Sequence, residues 1–175
     1  MENIRIETER LLLRAFQPDD LDGLQEILGD SRVMEYVEPP YTRKNTEAFL
    51  RDFCIGKRGA LAAERKADKK LIGYLLFKSC GEPEVYEMGW IFNRSVWRQG
   101  YAYEACAALR DYAFQPLLAH KLFAETVDAV KSIGLMRKLG MAPEGVQSQQ
   151  TRDSSGAWAD LYFYGLLRED WDPNK

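Results

Sequence analysis

The stretch Trp97-Arg98-Gln99-Gly100-Tyr101-Ala102-Tyr103-Glu104-Ala105 decides the fold, because it passes from a short polar loop directly into an amphipathic helix. Apolar side chains recur at helical spacing from the end of this stretch onward, at Ala102, Ala105, Cys106, Leu109 and Ala113. A proline at position 116 cannot continue a helix. The sequence therefore predicts a loop that leads into a core helix ending near Pro116.

The start of this helix has the properties of an anion-binding site. Backbone N–H groups of a first helical turn lack intrahelical partners, and the peptide dipoles place partial positive charge there. Gly100 lets the main chain approach a ligand closely, and Ala102 keeps the next turn thin. Arg98 and Arg94 can add charge-assisted bonds to phosphate oxygens. The alternative interpretation is an ordinary loop before a core helix, with solvated arginines.

The composition indicates one domain over residues 1–175. A chain of 175 residues that is 46% hydrophobic and 29% charged is long enough for one core and short for two. A formal charge of −3 argues against non-specific binding of nucleic acid. Three unpaired cysteines and one histidine support neither a disulfide framework nor a metal site. Without a signal pattern or a long apolar run, we expect a cytoplasmic protein that does not enter a membrane.

Local patterns along the chain predict a single α/β domain with a mixed, mostly antiparallel sheet. Residues 4–16 favour a first strand, and helices are expected from Pro18 to Gly29 and from Thr42 or Asn45 to Gly56. Further strands are predicted at 60–64, 71–78, 85–92, 121–127, 145–152 and 158–167, with a short helix at 132–139. We expect six to seven strands flanked by about four helices, with the strands at 85–92 and 121–127 parallel.

The order of these pieces resembles the GCN5-related N-acetyltransferase (GNAT) superfamily, and in particular its RimJ/RimL-like branch of ribosomal-protein N-terminal acetyltransferases. The resemblance is carried by the opening stretch and by Glu87-Met88-Gly89-Trp90, and it extends to Thr8-Glu9-Arg10-Leu11-Leu12-Leu13-Arg14, Leu71-Ile72-Gly73-Tyr74, Lys131-Ser132, Leu139-Gly140 and residues 160–171. It therefore implies a GNAT fold over nearly the whole chain.

The resemblance also implies a binding site for acetyl-coenzyme A. The residues expected to hold it are Trp90, Ile91, Phe92, Trp97, Arg98, Gln99, Gly100, Tyr101, Ala102, Tyr103 and Ser132. In the family the pantetheine arm runs beside the strand that ends Trp90-Ile91-Phe92, and a backbone N–H there stabilises charge on the thioester oxygen. Separation of this strand from the one at 121–127 would open the groove.

Glu87 is the candidate general base, because it lies on the strand that borders the expected cleft. Glu35 and Glu38, on the proline-containing segment that the family folds over the acceptor, are its rivals. An ion pair across the sheet is the alternative role for Glu87. Because side chains alternate along a strand, Glu87 and Met88 face opposite ways, and the sequence leaves open which of them faces the cleft.

Ser132 is the candidate group to contact the sulfur of the leaving thiol, because the tyrosine that many family members use is replaced by Met136. The alternative role for Ser132 is an N-cap, and the two roles can coexist. The chain departs from the family pattern at Ala129 in place of an asparagine, Arg98 in place of a glycine and Met141 in place of an aromatic residue. These departures weaken the expectation of activity more than that of cofactor binding.

The resemblance implies an acetyl-coenzyme A-dependent N-acetyltransferase that acts directly on a primary amine of a small molecule or a protein N-terminus. No cysteine or serine stands in a recognisable nucleophile arrangement, which favours transfer without a covalent enzyme intermediate. The alternative is a non-catalytic acyl-coenzyme A-binding sensor of the same fold. Apolar side chains lie on the last hairpin at Trp158, Leu161 and Phe163, and we therefore expect that the chain can form a homodimer.

Overall fold

The computed structural model describes residues 4–172, and within them a single eight-stranded sheet carries helices on both faces. The strands are β1 Ile6–Glu7, β2 Leu11–Ala15, β3 Ala60–Arg65, β4 Lys70–Ser79, β5 Val85–Phe92, β6 Lys121–Thr126, β7 Ala142–Arg152 and β8 Trp158–Leu167. The helices are α1 Leu21–Leu28, α2 Arg43–Ala48, α3 Tyr101–Phe114 and α4 Lys131–Lys138. The predicted class, a mixed and mostly antiparallel sheet, is confirmed.

The sheet has the order β1-β2-β3-β4-β5-β6-β8-β7, and its neighbouring strands are antiparallel except for one pair. The exception is β5 with β6, which run parallel because α3 connects them across the sheet. This is the parallel pair that the sequence predicts. It lies in the middle of the sheet, where neither strand is an edge.

The prediction of one strand over residues 4–16 is wrong. The chain reverses at Thr8-Glu9-Arg10, where the Thr8 N–H donates to the Leu11 carbonyl at 2.9 Å, and β1 pairs back on β2. Apolar residues on both sides of a short polar turn give the same pattern as one long strand. This hairpin accounts for the eighth strand.

Two clusters of buried side chains hold the helices to opposite faces of the sheet. One lies under α3 and α4 and contains the predicted stripe of α3, with Ala105, Cys106, Leu109 and Ala113 all fully buried. The other lies under α1 and α2 and includes Leu24, Ile27, Leu50 and Cys54. The sheet therefore separates two layers, and a site that uses both needs a passage between strands.

Local signals place the helix ends close to the predicted positions. The Asn45 N–H donates to the Thr42 hydroxyl at 3.3 Å, which caps α2, and the helix continues with π-type hydrogen bonding over Phe49–Gly56. After α4, Gly140 adopts a left-handed φ of +88°, which ends the helix. In residues 4–172 there is no helix long and apolar enough to cross a membrane.

Gly73 lies where β4 packs closely against the end of β5, and a substitution at this position tests that packing. A Cβ at residue 73 would lie 2.4 Å from Cδ1 of Phe92, its cross-strand partner, so the Phe92 ring must move in a Gly73→Ala variant. We expect Gly73→Ala to lower the free energy of unfolding by about 1–3 kcal/mol in urea titrations. Gly145→Ala is the control, because a Cβ there meets nothing within 4 Å. Equal effects of the two changes would contradict this packing.

Candidate active site

The parallel strands β5 and β6 separate part-way along their length. They pair at Val85 with Lys121, Tyr86 with Leu122 and Glu87 with Phe123, and no pair joins them after that. Beyond Glu87, β5 remains paired with β4 as far as Phe92, and β6 remains paired with β8 as far as Thr126. One edge of residues 88–92 therefore carries backbone groups with no strand partner, beside a gap through the sheet.

A cleft of about 1130 Å³ occupies this gap and opens toward both layers of helices. It is lined by nearly all the residues that the sequence predicts for the site, namely Glu87, Trp90, Ile91, Phe92, Trp97, Arg98, Gly100, Tyr101, Ala102, Tyr103 and Ser132. Gln99 is not among the lining residues, since its side chain donates to the Ser95 carbonyl at 2.9 Å. The lining residues run from Arg32 to Leu161, so parts of the chain that are far apart in sequence meet in one place.

The loop before α3 contains two left-handed residues, Arg98 with φ +61° and Gly100 with φ +83°. Left-handed residues within such a loop turn successive N–H groups toward one side, which makes an anion-binding concavity. The indole of Trp97 fixes the loop to β5 by donating to the Phe92 carbonyl at 2.8 Å. The family glycine that Arg98 replaces would adopt this φ without strain, whereas Arg98 adopts it at some cost.

Arg10 and Glu104 connect this loop to the β1–β2 turn, a role that was not predicted from the sequence. The Glu104 carboxylate accepts hydrogen bonds from the Thr8 hydroxyl at 2.5 Å, the Arg10 N–H at 2.8 Å and the Arg10 Nε at 2.6 Å. Arg10 also donates to the Gln99 carbonyl at 2.9 Å, and its guanidinium lies 4.1 Å from the centroid of the Tyr101 ring. The β1–β2 turn therefore fixes the first turn of α3.

Glu87 faces the layer of α1 and α2, whereas Met88 is buried in the core under α3. The Glu87 carboxylate forms an ion pair with Lys78, its cross-strand partner on β4, at 2.9 Å. The thiol of Cys80 donates to the same carboxylate at 3.5 Å. The ion pair that the sequence left as an alternative is thus present, and Glu87 still lines the cleft.

Glu125 is a second carboxylate at the cleft and is absent from the sequence-based candidates. It lies two residues after Phe123, the partner of Glu87, and so on the same face of the sheet. Desolvation and the negative charge of Glu87 raise the pKa of the Glu125 carboxyl, and Lys78 offsets part of this effect. The parallel pairing of β5 and β6, which the sequence predicts, is the signal that would have placed Glu125 there.

Ser132 does not cap α4, so the N-cap alternative is wrong. Asp128 takes that role, since its buried carboxylate accepts from the N–H groups of Val130 at 3.0 Å, Lys131 at 2.9 Å and Ser132 at 3.3 Å. Among residues 4–172 the Ser132 hydroxyl has no hydrogen-bond partner, and the residue lines the cleft. Its hydroxyl is available to a ligand.

The segment between α1 and α2 lies along the cleft, as the resemblance implies, with Tyr36 among the lining residues. The rival bases on this segment do not line the cleft. Glu38 accepts from the Tyr41 hydroxyl at 2.8 Å, and the Glu35 carbonyl accepts from the Ser154 hydroxyl at 2.5 Å. Glu35 and Glu38 stay rival predictions for the base, although neither is among the lining residues.

The three thiols are poor nucleophiles. Burial raises the pKa of Cys54 to about 12, and burial also holds the pKa of Cys106 well above its usual value. Desolvation and the hydrogen bond to Glu87 raise the pKa of Cys80. Since the thiolate is the reactive form, these environments do not favour a covalent acyl-cysteine. Within the described residues, no group of three or more metal-binding side chains comes together.

Glu104 gives a pH-dependent test of the loop. Burial alone would raise its pKa, but the bonds from Thr8 and Arg10 outweigh burial and lower the pKa below the usual 4.5. A lowered pKa stabilises the fold above the unfolded pKa, and this stability is lost as pH falls through the folded pKa. We expect Glu104→Gln to cost about 2 kcal/mol of unfolding free energy at pH 7, and progressively less as the pH falls through the folded pKa of Glu104, which lies below 4.5.

The matched control is Glu9→Gln, because Glu9 is the exposed neighbour of Arg10. Urea titrations of the three proteins across pH measure the difference directly. A cost for Glu104→Gln that does not change with pH would contradict a charged Glu104 in the network.

The comparisons with known proteins agree with this geometry. A family model described as an acetyltransferase (GNAT) domain matches residues 10–142. The uncharacterised N-acetyltransferase YnaD of Bacillus subtilis (strain 168) is 31% identical over 176 residues, which cover 97% of this chain and 100% of YnaD. The uncharacterised N-acetyltransferase p20 of Bacillus licheniformis is 26% identical over 94% of this chain and 96% of its own length.

Solved structures support the predicted GNAT fold. An acetyltransferase (GNAT family) from Bacillus anthracis has a TM-score of 0.86 at 29% identity, covering 95% of this chain and 99% of that chain. A RimL ribosomal alpha-N-protein acetyltransferase in complex with coenzyme A has a TM-score of 0.80 at 18% identity, covering 94% and 98%, and shares the fold. Ribosomal-protein acetyltransferases form the branch that the motifs resemble. The chain therefore belongs to the GNAT family of N-acetyltransferases.

Proposed function

We propose that this chain transfers an acetyl group from acetyl-coenzyme A directly to a primary amine, either of a small molecule or of a protein N-terminus. The observation that carries the proposal is the unpaired edge of β5 over residues 88–92, which runs beside a gap from the α3 layer to the α1 and α2 layer. An extended arm can pair with such an edge as an added strand does. The arm would then deliver its end to the gap.

The described residues suit coenzyme A in chemistry as well as in shape. The two left-handed residues Arg98 and Gly100 turn N–H groups toward a diphosphate, and α3 adds the positive end of its dipole. Arg98 and Lys131 line the same cleft and supply positive charge. A Cβ on Gly100 would be only 3.3 Å from Nη2 of Arg10, so a side chain there would press on the guanidinium that holds the loop.

Bound acetyl-coenzyme A supplies the thioester on which the transfer depends. The amine nitrogen forms a bond to the thioester carbon, the bond from that carbon to sulfur breaks, and the sulfur leaves with the electron pair. Backbone N–H groups on the open edge of β5 stabilise charge on the carbonyl oxygen. Ser132, whose hydroxyl has no partner in residues 4–172, is the proposed donor to the departing sulfur.

The carboxylates of Glu87 and Glu125 are the proposed acceptors of the proton that the amine loses. Glu87 is the base that the sequence predicts, and Glu125 lies beside it with a raised pKa. A base whose pKa is raised toward the working pH is more effective. Desolvation and then the negative charge of Glu87 cause this raised pKa of Glu125.

We also propose that the protein works in the cytoplasm and forms a homodimer through the last hairpin. Cys54, Cys80 and Cys106 are all unpaired thiols, as a reducing compartment allows. Trp158 on this hairpin is 57% exposed, whereas Leu161 and Phe163 are partly buried. The proposed dimer contact therefore depends on Trp158 more than on the other two residues.

The direct test of the proposed function is release of free thiol from acetyl-coenzyme A in the presence of a panel of primary amines. We expect thiol release that depends on the amine, with a stoichiometric N-acetyl product identified by mass spectrometry. A covalent acyl-enzyme on any cysteine would contradict direct transfer. Tight coenzyme A binding without turnover of any amine would favour the alternative, a non-catalytic acyl-coenzyme A sensor.

The carboxylate pair gives a test by pH profile. Replacing Glu87 by Gln removes a negative charge that raises the pKa of the Glu125 carboxyl, so that this pKa falls. We therefore expect Glu87→Gln and Glu125→Gln each to lower kcat/KM, and Glu87→Gln to move the acidic limb of the profile to lower pH than in the parent protein. The double variant should lose about 100-fold or more. Unchanged profiles in both single variants would exclude the pair as the base.

A further inference from the structure

The part of the cleft that faces α1 and α2 is apolar and aromatic at one end. Its side chains form what we call the apolar wall, which consists of Phe49, Phe53, Tyr74, Leu76 and Ile91. Phe49 stacks on Phe53 with ring centroids 5.1 Å apart and lies 5.9 Å from the Tyr74 ring. Cross-strand pairing of Tyr74 with Ile91 and of Leu76 with Gly89 puts these positions on one face of the sheet.

Most of the carboxylates that line the cleft are already paired. Glu87 is paired with Lys78 at 2.9 Å, and Asp128 is occupied by three backbone N–H groups of α4. Only Glu125, among the lining residues that the structure describes, is a carboxylate with neither an ion pair nor a hydrogen bond. The cleft thus offers one uncommitted negative charge to a cationic substrate.

Positive side chains outnumber negative ones around the cleft. Five cationic residues line it, against the three carboxylates Glu87, Glu125 and Asp128, and they are Arg32, Arg98, Lys131, Lys138 and Arg152. This excess suits the phosphates of coenzyme A. A second or third ammonium group on the acceptor would have no uncommitted carboxylate to pair with, because Glu125 is the one such group among the described lining residues.

The segment between α1 and α2 is joined to the opposite wall of the cleft at two points. The Ser154 hydroxyl, in the β7–β8 turn, donates to the Glu35 carbonyl at 2.5 Å. The Lys131 Nζ, at the start of α4, lies 5.2 Å from the centroid of the Tyr36 ring. Both contacts cross from this segment to the elements on the other side of the cleft, so a polypeptide acceptor would have to pass beside them.

We infer that the acceptor is a small monoamine with an apolar or aromatic body. Its ammonium group lies next to Glu125, and its body packs against the apolar wall. The inference rests on the proposed function and narrows the class of acceptor. The products are then the N-acetyl derivative of this amine and the free thiol of coenzyme A. Diamines, aminoglycosides and protein N-termini become poor acceptors.

The test compares acceptors of different chemistry with the full chain and saturating acetyl-coenzyme A. The panel is 2-phenylethylamine, 1,4-diaminobutane, kanamycin and a hexapeptide with a free N-terminus. We expect kcat/KM for 2-phenylethylamine to exceed that of each other acceptor by about 10-fold or more, since an unfilled apolar pocket and an unpaired ammonium both weaken the transition state. Thermal shift with coenzyme A alone is measured in parallel.

The outcomes separate this inference from the function on which it rests. Faster turnover of the diamine, of kanamycin or of the peptide would overturn the inference and leave acetyl transfer standing. Binding of coenzyme A without turnover of any acceptor would overturn both. No binding of coenzyme A would overturn the proposed site itself.

A pair of variants tests the charge argument independently of folding. Leu76→Glu adds a second carboxylate to the apolar wall, and Leu76→Gln makes a change of the same size without charge. We expect Leu76→Glu to raise kcat/KM for 1,4-diaminobutane relative to 2-phenylethylamine by about 10-fold, and Leu76→Gln to leave this ratio close to that of the parent protein. The same ratio in both variants would contradict the placement of the acceptor against the apolar wall.

Discussion

The separation of β5 from β6 after Glu87 and Phe123 is the constraint on which the rest of the structure depends. Parallel strands normally pair along their length, and backbone groups without partners are costly when buried. Each strand nevertheless remains fixed by its other neighbour, β4 on one side and β8 on the other. The open edge of β5 is therefore fixed by the pairing of its other edge, and in the proposed function an extended ligand pairs with it.

The two layers of helices place different residues beside the gap. On one side, the loop before α3 turns N–H groups outward, and the contacts of Arg10 with Glu104 and with the Gln99 carbonyl hold that loop in place. On the other side, Glu87 and Glu125 lie near an apolar and aromatic wall. The phosphate end of the donor and the acceptor amine can thus approach the gap from opposite faces of the sheet.

Sequence reasoning predicted those features that depend on local patterns. The stripe of α3, the parallel order of β5 and β6 and the loop at Gly100 follow from spacing, composition and family resemblance. The first hairpin was missed because a short turn between apolar runs resembles a continuous strand. Alternation could not decide between Glu87 and Met88, since only packing under α3 buries Met88. The capping role of Asp128 arises from a contact that no local pattern predicts, whereas the position of Glu125 follows from the predicted parallel pairing of β5 and β6.

Amide hydrogen exchange of the full chain, with and without coenzyme A, tests the central claim most directly. If the open edge of β5 pairs with the pantetheine arm, amides within residues 88–92 that face the gap exchange more slowly when coenzyme A is bound. Amides of β4 that already pair with β5 change little, because their partners are the same in both states. Unchanged exchange over residues 88–92 at saturating coenzyme A would contradict the account.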